Sequence, residues 1–302
     1  MRLGLVVPTL NAGASWPDWI AALKCQSRQP DRVLVIDSSS DDGTDRLAIE
    51  AGLEVLRIDM QAFDHGGTRQ LGVQRLDDCE LVVCMTQDAL LDDPQALAAL
   101  IAPFDDPAVA LSWGRQLPHV GASPIATHAR AFNYPTHGRV VQFGDRTTLG
   151  LKAAFASNSF AAWRRDALLS IGGFPAKILF GEDMLCCARL LEAGWKAAYA
   201  PGACARHSHN YSPWQEFCRY VDIGFFHATE AWLLERFGRA EGEGMRFVLS
   251  EQAALTQYGL AWRLSALWRT LCKWLGYRVG RLGPALPRPL MRRLSMHRGW
   301  WR

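Results

Sequence analysis

The sequence predicts an α/β fold, a βαβ sheet flanked by helices, and three observations carry that prediction. Short β-rich runs alternate with amphipathic stretches through the first half of the chain. The runs are apolar almost without interruption, as parallel strands covered on both faces are. Polar clusters follow directly on their ends, at the edge where open parallel sheets bind ligands.

In order, Leu3–Val7 reads as a buried strand, Trp16–Gln26 as a helix, Arg32–Ile36 as a second strand and Gly43–Ala51 as a second helix. Glu54–Ile58 follows as a third strand, Gly67–Leu76 as a helix, Glu80–Met85 as a fourth strand and Pro94–Ala102 as a helix. Residues 112–150, punctuated by Pro118, Pro124 and Pro135, read as a loop-like, substrate-facing excursion. Phe155–Trp163 then reads as a strand, Arg165–Ile171 as a helix and Gly172–Pro175 as a tight turn. Asp183–Ala193 is expected to be a helix ended by Gly194, with Ala197–Tyr199 and Cys204–His207 as two short closing strands. Residues 214–236 read as helical, and a long Trp/Leu/Arg segment ends the chain.

The polar clusters are Pro8-Thr9-Leu10-Asn11, Asp37-Ser38-Ser39-Ser40-Asp41-Asp42-Gly43-Thr44, Asp64-His65-Gly66-Gly67-Thr68-Arg69 and Thr86-Gln87-Asp88. Each alone is ordinary turn chemistry; together they mark one sheet edge as a site. No GxGxxG follows the first strand and no GxxxxGK[ST] occurs, which argues against a dinucleotide oxidoreductase and a P-loop enzyme.

Charge is distributed unevenly. The formal net charge is +3, but the last acidic residue is Glu251 and ten basic residues follow it, so residues 252–302 carry +10 and the remainder −7. Such a tail suits a polyanionic surface. No apolar run approaches the roughly 20 residues of a transmembrane helix, and Met1–Leu10 lacks the pattern of a signal peptide. Eight cysteines without CxxC spacing read as free thiols in a reducing cytosol.

Asp88, at a strand's carboxyl end, suits a divalent cation shared with a ligand's phosphates, or a helix N-cap. His207 and His209, two apart in an extended segment, point the same way and can complete a metal's coordination. Glu182-Asp183 opens a helix, which fits either capping or a general base beside a second carboxylate. Arg69 is placed for a nucleotide or for a solvated helix face.

In sequence, Pro-Thr-Leu-Asn, Val-Ile-Asp-Ser-Ser-Ser-Asp-Asp-Gly-Thr, Gly-Gly-Thr-Arg, the motif at Asp88 and Gly-Glu-Asp resemble the inverting family-2 glycosyltransferases of GT-A fold. Phe-Asp-His-Gly-Gly-Thr-Arg, Thr-Gln-Asp-Ala, Gly-Arg-Gln-Leu-Pro, Phe-Asn-Tyr-Pro, Ser-Asn-Ser-Phe-Ala-Ala, Phe-Gly-Glu-Asp-Met and His-Ser-His-Asn-Tyr-Ser resemble the bacterial rhamnosyltransferase branch, as does Leu294–Gly299. The resemblance implies a Rossmann-like, mixed, mostly parallel sheet in residues 1–213 and a C-terminal helical region over 214–302. It implies nucleotide-sugar binding by Pro8, Thr9, Asn11, Asp37, Ser39, Arg69, Gln87, Asp88, Asn158 and Ser159, with Asn158 and Ser159 facing the sugar. It makes Asp183 the catalytic base with Glu182 beside it, and Asp88 the last position of a DXD metal motif, with Thr86 and Gln87 standing where acids are common in the family. A Mg²⁺ or Mn²⁺ ion would therefore lean on Asp88, His207 or His209 and the donor diphosphate. Trp113 and Arg115 are candidates for sugar or acceptor contact.

The tail places Trp262, Leu264, Leu267, Trp268, Leu271, Trp274 and Leu275 at helical spacing, with Arg263, Arg269 and Lys273 largely on other positions. Such a helix suits an anionic bilayer interface. Nucleic acid is disfavoured as a partner, because no nucleic-acid motif accompanies the tail. The expected protein is an enzyme peripheral on the cytoplasmic face of the inner membrane, transferring L-rhamnose from dTDP-β-L-rhamnose to a glycan or glycolipid. Another family-2 enzyme using a UDP-sugar, and a sugar-nucleotide nucleotidyltransferase, are the competing readings. Removal of residues 261–302 is expected to lower membrane association more than donor binding.

Overall fold

A computed structural model describes residues 1–238 and 242–301; Arg302, counted in the basic tail, lies outside the described residues. The first half folds close to expectation: β1 (Leu3–Thr9), α1 (Trp16–Lys24), β2 (Arg32–Asp37), α2 (Thr44–Glu50), β3 (Glu54–Arg57), α3 (His65–Arg75) and β4 (Leu81–Met85). Helix α3 starts at His65, ahead of the glycines, because the Asp64 carboxylate accepts the Gly67 N–H at 2.6 Å and caps it. There follow β5 (Leu90–Leu91), α4 (Ala96–Ile101), β6 (Val109–Leu117), α5 (Pro124–Asn133), β7 (Arg139–Val141), α6 (Arg146–Leu149), β8 (Phe160–Arg164), α7 (Arg165–Ser170), α8 (Glu182–Glu192) and β9 (Lys196–Arg206). Helices α9 (Pro213–Thr229), α10 (Ala231–Phe237), α11 (Glu243–Ala254), α12 (Leu260–Leu282) and α13 (Arg288–Leu294) complete the chain.

The strands form one sheet in the order β3-β2-β1-β4-β8-β6-β9-β5, with β7 also paired to β9. Strands β1 to β4 are mutually parallel, and β8 enters antiparallel between β4 and β6. Alternation along β1 and β4 divides the core between the sheet's faces. Leu3, Leu5, Val7, Leu81, Val83 and Met85 pack with Trp16 and Trp19, whereas Val6, Val82 and Cys84 pack with Val73, Leu76 and Trp163.

Three expectations are corrected. Residues 112–150 are not a loop, since they hold the end of β6 together with α5, β7 and α6. The prolines sit where they do no harm: Pro124 opens α5 at N1, after the Ser123 cap. The strand expected from Phe155 begins at Phe160, because a turn closed by Phe160 N–H on the Ser157 carbonyl (3.1 Å) directs Asn158 inward. The two closing strands are one, β9; its register against β6 jumps from Ala200 to Cys204, so Pro201 and Gly202 are absorbed as a bulge.

All eight cysteines are unpaired, with only Cys25 exposed. Helix α12 lies on α9 through a row of small residues. A Cβ on Gly280 would stand 2.0 Å from the Val221 carbonyl, and one on Gly276 would stand 2.3 Å from that of Phe217. The C-terminus does not stand apart from the sheet domain. Met291 and Trp301 pack with Leu179, Val221 and Phe225 beside the loop that leads to Glu182.

Candidate active site

At the carboxyl edge, the ends of β1 and β2 are tied by side chains. Buried Asp37 accepts from the Thr9 hydroxyl (2.8 Å) and from the Ser40 hydroxyl (2.6 Å) and N–H (2.9 Å). Gln87 forms a two-bond latch with Leu10, accepting its N–H at 2.7 Å and donating to its carbonyl at 3.0 Å. Asn11 (φ 47°) and Ser39 (φ 64°) adopt the left-handed conformation that non-glycine residues avoid. Their loops hold it through hydrogen bonds from Asp41 N–H to Asn11 Oδ1 (2.9 Å) and from Ser39 Oγ to the Ile58 carbonyl (2.8 Å). Pro8, Thr9, Asn11, Asp37, Ser39 and Gln87 thus gather on one edge.

The acid pair opens α8. Glu182 is buried; its carboxylate meets Arg69 Nη1 at 3.1 Å and accepts from the Asn158 side-chain amide at 3.0 Å. Asp183 is only partly buried and accepts from the Asn158 backbone N–H at 3.0 Å and from the Met184 N–H at 2.8 Å. Asn158 therefore holds both acids, and its own Oδ1 accepts from Trp163 Nε1 at 2.8 Å. Burial, and then the charge of Glu182, raises the Asp183 carboxyl to about 7. Burial pushes Glu182 upward too, but Arg69 and His65 outweigh it and keep Glu182 low. The two acids are thus driven apart, one kept ionised and the other poised near neutrality.

Across the site, Asp88 Oδ2 lies 3.4 Å from His207 Nε2 and 3.7 Å from His209 Nε2. All three donor atoms fall within 4.8 Å of one another. The i, i+2 spacing does what the sequence implied. His207 Nδ1 meets Gln116 Oε1 at 3.0 Å, which aims Nε2 at Asp88. Arg130 also donates to that oxygen. Burial, and then His207, lowers His209 to about 4, leaving a neutral imidazole. For Asp88, burial works upward, but the hydrogen bond and charge of His207 prevail and hold it well below the usual carboxylate range. One carboxylate and two imidazoles make a donor set suited to a borderline divalent ion such as Mn²⁺ and less so to Mg²⁺.

Other expected residues lie elsewhere. Arg69 is 4% exposed and is spent on Glu182 and on the His65 carbonyl (2.9 Å), so it is not presented to a ligand at the strand edge. Asn158, expected to face a sugar, is buried with its amide committed as above, and Ser159 lends its carbonyl to the Thr86 N–H at 3.4 Å. Trp113 is core, 1% exposed between Tyr199 and Phe155, and Arg115 donates to the Tyr134 carbonyl at 3.2 Å.

Several residues of the site went unforeseen. Gln116 lay in a segment read as loop, and the adjacent polar pair Arg115-Gln116 breaks the alternation that would have marked it as strand. His297 reaches the site from the far end of the chain, its Nδ1 3.3 Å from His65 Nε2 and its ring stacked on Phe180. No local signal in the sequence joins residues so far apart.

Residues 2–219 match the family model "Glycosyltransferase like family 2". The chain is 44% identical over 302 residues to the O-antigen chain rhamnosyltransferase RfbN of Salmonella typhimurium strain LT2, covering all of this chain and 96% of that protein. It is likewise 44% identical over 298 residues to the O-antigen chain rhamnosyltransferase WbaN of Salmonella anatum, covering 98% and 95%. Among solved structures, the mannosyltransferase PcManGT from Pyrobaculum calidifontis, in complex with GDP-Man and Mn²⁺, superposes with a TM-score of 0.64 at 17% identity, covering 92% of this chain and 85% of that one. A nucleotidyltransferase is thereby ruled out in favour of the expected class: the chain belongs to glycosyltransferase family 2 and is a glycosyltransferase of GT-A fold.

Proposed function

We propose that this enzyme is an inverting rhamnosyltransferase that moves L-rhamnose from dTDP-β-L-rhamnose to a hydroxyl of a lipid-linked or lipopolysaccharide glycan, with Asp183 as general base. The observation that carries the chemistry is the difference between two adjacent acids. Glu182 is buried and ion-paired to Arg69, while Asp183 is only partly buried, with its carboxyl raised to about 7. A base of that strength accepts a hydroxyl proton at neutral pH, where about half of it is ionised. The choice of rhamnose is supported by the two rhamnosyltransferase relatives at 44% identity, and that of thymidine over uridine by the sequence motifs' resemblance to the rhamnosyltransferase branch.

In the reaction, the acceptor oxygen attacks the anomeric carbon in line and gives its proton to Asp183. The bond from that carbon to the donor phosphate breaks, and its electron pair stays on the phosphate oxygen. One displacement converts the β-linked donor into an α-L-rhamnoside. Asn158 fixes both acids, and Arg69 keeps Glu182 ionised without leaving a bare charge beside the base. Asp88, His207 and His209 would hold a divalent cation, which when bound supplies positive charge to the nucleoside diphosphate.

The acceptor-bearing membrane is met, in this reading, by α12. Leu264, Leu267, Trp268, Leu271, Trp274 and Leu275 are all exposed on it, while its small residues Ala266, Cys272, Gly276 and Gly280 face inward. Arg278 lies over the Trp274 ring at 5.8 Å, and Arg288, Arg292, Arg293, Arg298 and Trp301 line a cleft of about 750 Å³. Apolar stripe and arginines together suit the anionic cytoplasmic face of an inner membrane. No helix among the described residues is long and apolar enough to cross it.

The test is a donor screen with the purified chain, Mn²⁺ or Mg²⁺ and a membrane extract as acceptor. Rhamnose transfer from dTDP-β-L-rhamnose above all UDP-sugars is the expected result. Transfer confined to a UDP-sugar would replace the donor assignment.

A further inference from the structure

With Arg69 committed to Glu182, a basic side chain that joins the metal at the donor's phosphates must come from elsewhere. Arg130 is no candidate, since its guanidinium serves the Gln116 and His207 oxygens. Arg219 on α9 is different. Its side chain is exposed, and among the described residues no carboxylate lies in ion-pair range of it. Its guanidinium stands over the Tyr211 ring, 5.8 Å from the centroid, and Tyr211 is stacked on His209 at 4.9 Å.

The helix fixes which way Arg219 faces. Arg219, Asp222 and Phe226 follow at three- and four-residue steps along one face of α9. Phe226 packs on Phe180 at 5.2 Å and beneath Gly181, immediately before the acid pair. The Asp222 carboxylate, the nearest acid on that face, is occupied by the Met296 N–H at 2.9 Å. Arg219 lies one turn nearer the start of α9, which follows directly on His209. The guanidinium therefore stands between the Asp88, His207 and His209 cluster and the catalytic loop.

We propose that Arg219 binds the diphosphate of the nucleotide donor and stabilises it as the leaving group. The inference rests on the reading of the substrate as a nucleoside-diphosphate sugar. When the anomeric carbon–oxygen bond breaks, the diphosphate gains one negative charge, and a planar guanidinium matches two of its oxygens at once. An exposed arginine without a carboxylate partner supplies that contact without first breaking an ion pair.

The experiment titrates the full-length chain, with Mn²⁺, against thymidine and uridine mono- and diphosphates, and repeats the series with Arg219→Gln and Arg219→Lys. The wild-type chain should prefer a diphosphate to its monophosphate. Arg219→Gln should weaken diphosphate binding about ten- to hundredfold while leaving the monophosphate nearly unchanged. Arg219→Lys should recover part of that loss, and kcat should fall in the same order. An unchanged melting temperature shows that the fold is intact, as expected for an exposed side chain. Diphosphate binding unaffected by Arg219→Gln, or equal weakening of mono- and diphosphates, overturns the proposal. A wild-type chain that binds neither diphosphate in the presence of metal overturns the donor reading together with it.

Discussion

Asp183 and Glu182 are neighbours with opposite electrostatic fates, and this sets a pH dependence that an ordinary carboxylate would not give. Because burial and Glu182 lift Asp183 to about 7, kcat/KM for transfer should climb with pH, reach half its maximum near that value and level off above it. An unshifted aspartate would reach its plateau below about pH 5. Glu182→Gln removes the neighbouring charge, so the rising limb should move to lower pH; a limb that stays in place would show that Glu182 does not tune the base. The same shift bears on stability. The folded-state pKa lies above the unfolded one, so the protonated form contributes stability that is lost as pH rises from about 4 through about 7. Urea unfolding should show Asp183→Asn narrowing the stability difference between pH 5 and pH 8. Asn158→Ala keeps the backbone N–H that Asp183 accepts but strips the side-chain donor from Glu182 and orphans the Trp163 indole, costing about 1–3 kcal/mol and most of the activity. At this scale the sequence revealed residue types with chemistry of their own: Asp88 at a strand end, two histidines two apart, and paired acids at a helix start. It did not reveal Asn158 or Gln116 as the residues that hold them, because their work consists of hydrogen bonds to partners far away in the chain.

The parallel strands β1 to β4 were legible because each is a short apolar run closed by turn residues. The segment 112–150 was not. Its prolines were read as breaks, whereas Pro124 starts a helix and Pro118 follows a finished strand. Nor did the pattern show that Pro201-Gly202 would be carried as a bulge inside β9. The contact of α12 with α9 was equally hidden. The apolar residues read as a bilayer-facing stripe point outward, apart from Trp262, which packs with Ile125, Leu255 and Ala266. Glycines make the contact instead, and Arg269 and Lys273 turn to Glu216 at 3.5 and 3.6 Å. Gly280→Val would drive a side chain into the Val221 carbonyl and should lower stability by at least about 1–3 kcal/mol, measured by urea unfolding. A variant as stable as the parent would mean that the two helices are not in backbone contact.

For the molecule as a whole, the modest net charge conceals a division that the structure redistributes. Part of the tail's basic charge is internal, as Arg269 and Lys273 show, while Arg278 and the arginines around the terminal cleft stay at the surface. The tail also has a second role. Asp222 fastens Met296, and His297 rests on His65 and Phe180 beside the acid pair. Deleting residues 261–302 would therefore disturb the site as well as any membrane contact, so it does not separate the two. Replacing Leu264, Trp268 and Leu271 by serine does, because all three are exposed on α12 and away from the site. That variant should lose sedimentation with phosphatidylglycerol vesicles while binding nucleotide as before; undiminished sedimentation would remove α12 as the membrane face. The central claim, a single displacement with Asp183 as base, is tested most directly by the anomeric configuration of the product formed from dTDP-β-L-rhamnose. The one-bond carbon–hydrogen coupling at the new linkage, read by NMR, should report an α-L-rhamnoside with the parent chain and no product with Asp183→Asn. A β-linked product, or full turnover by Asp183→Asn, would contradict it.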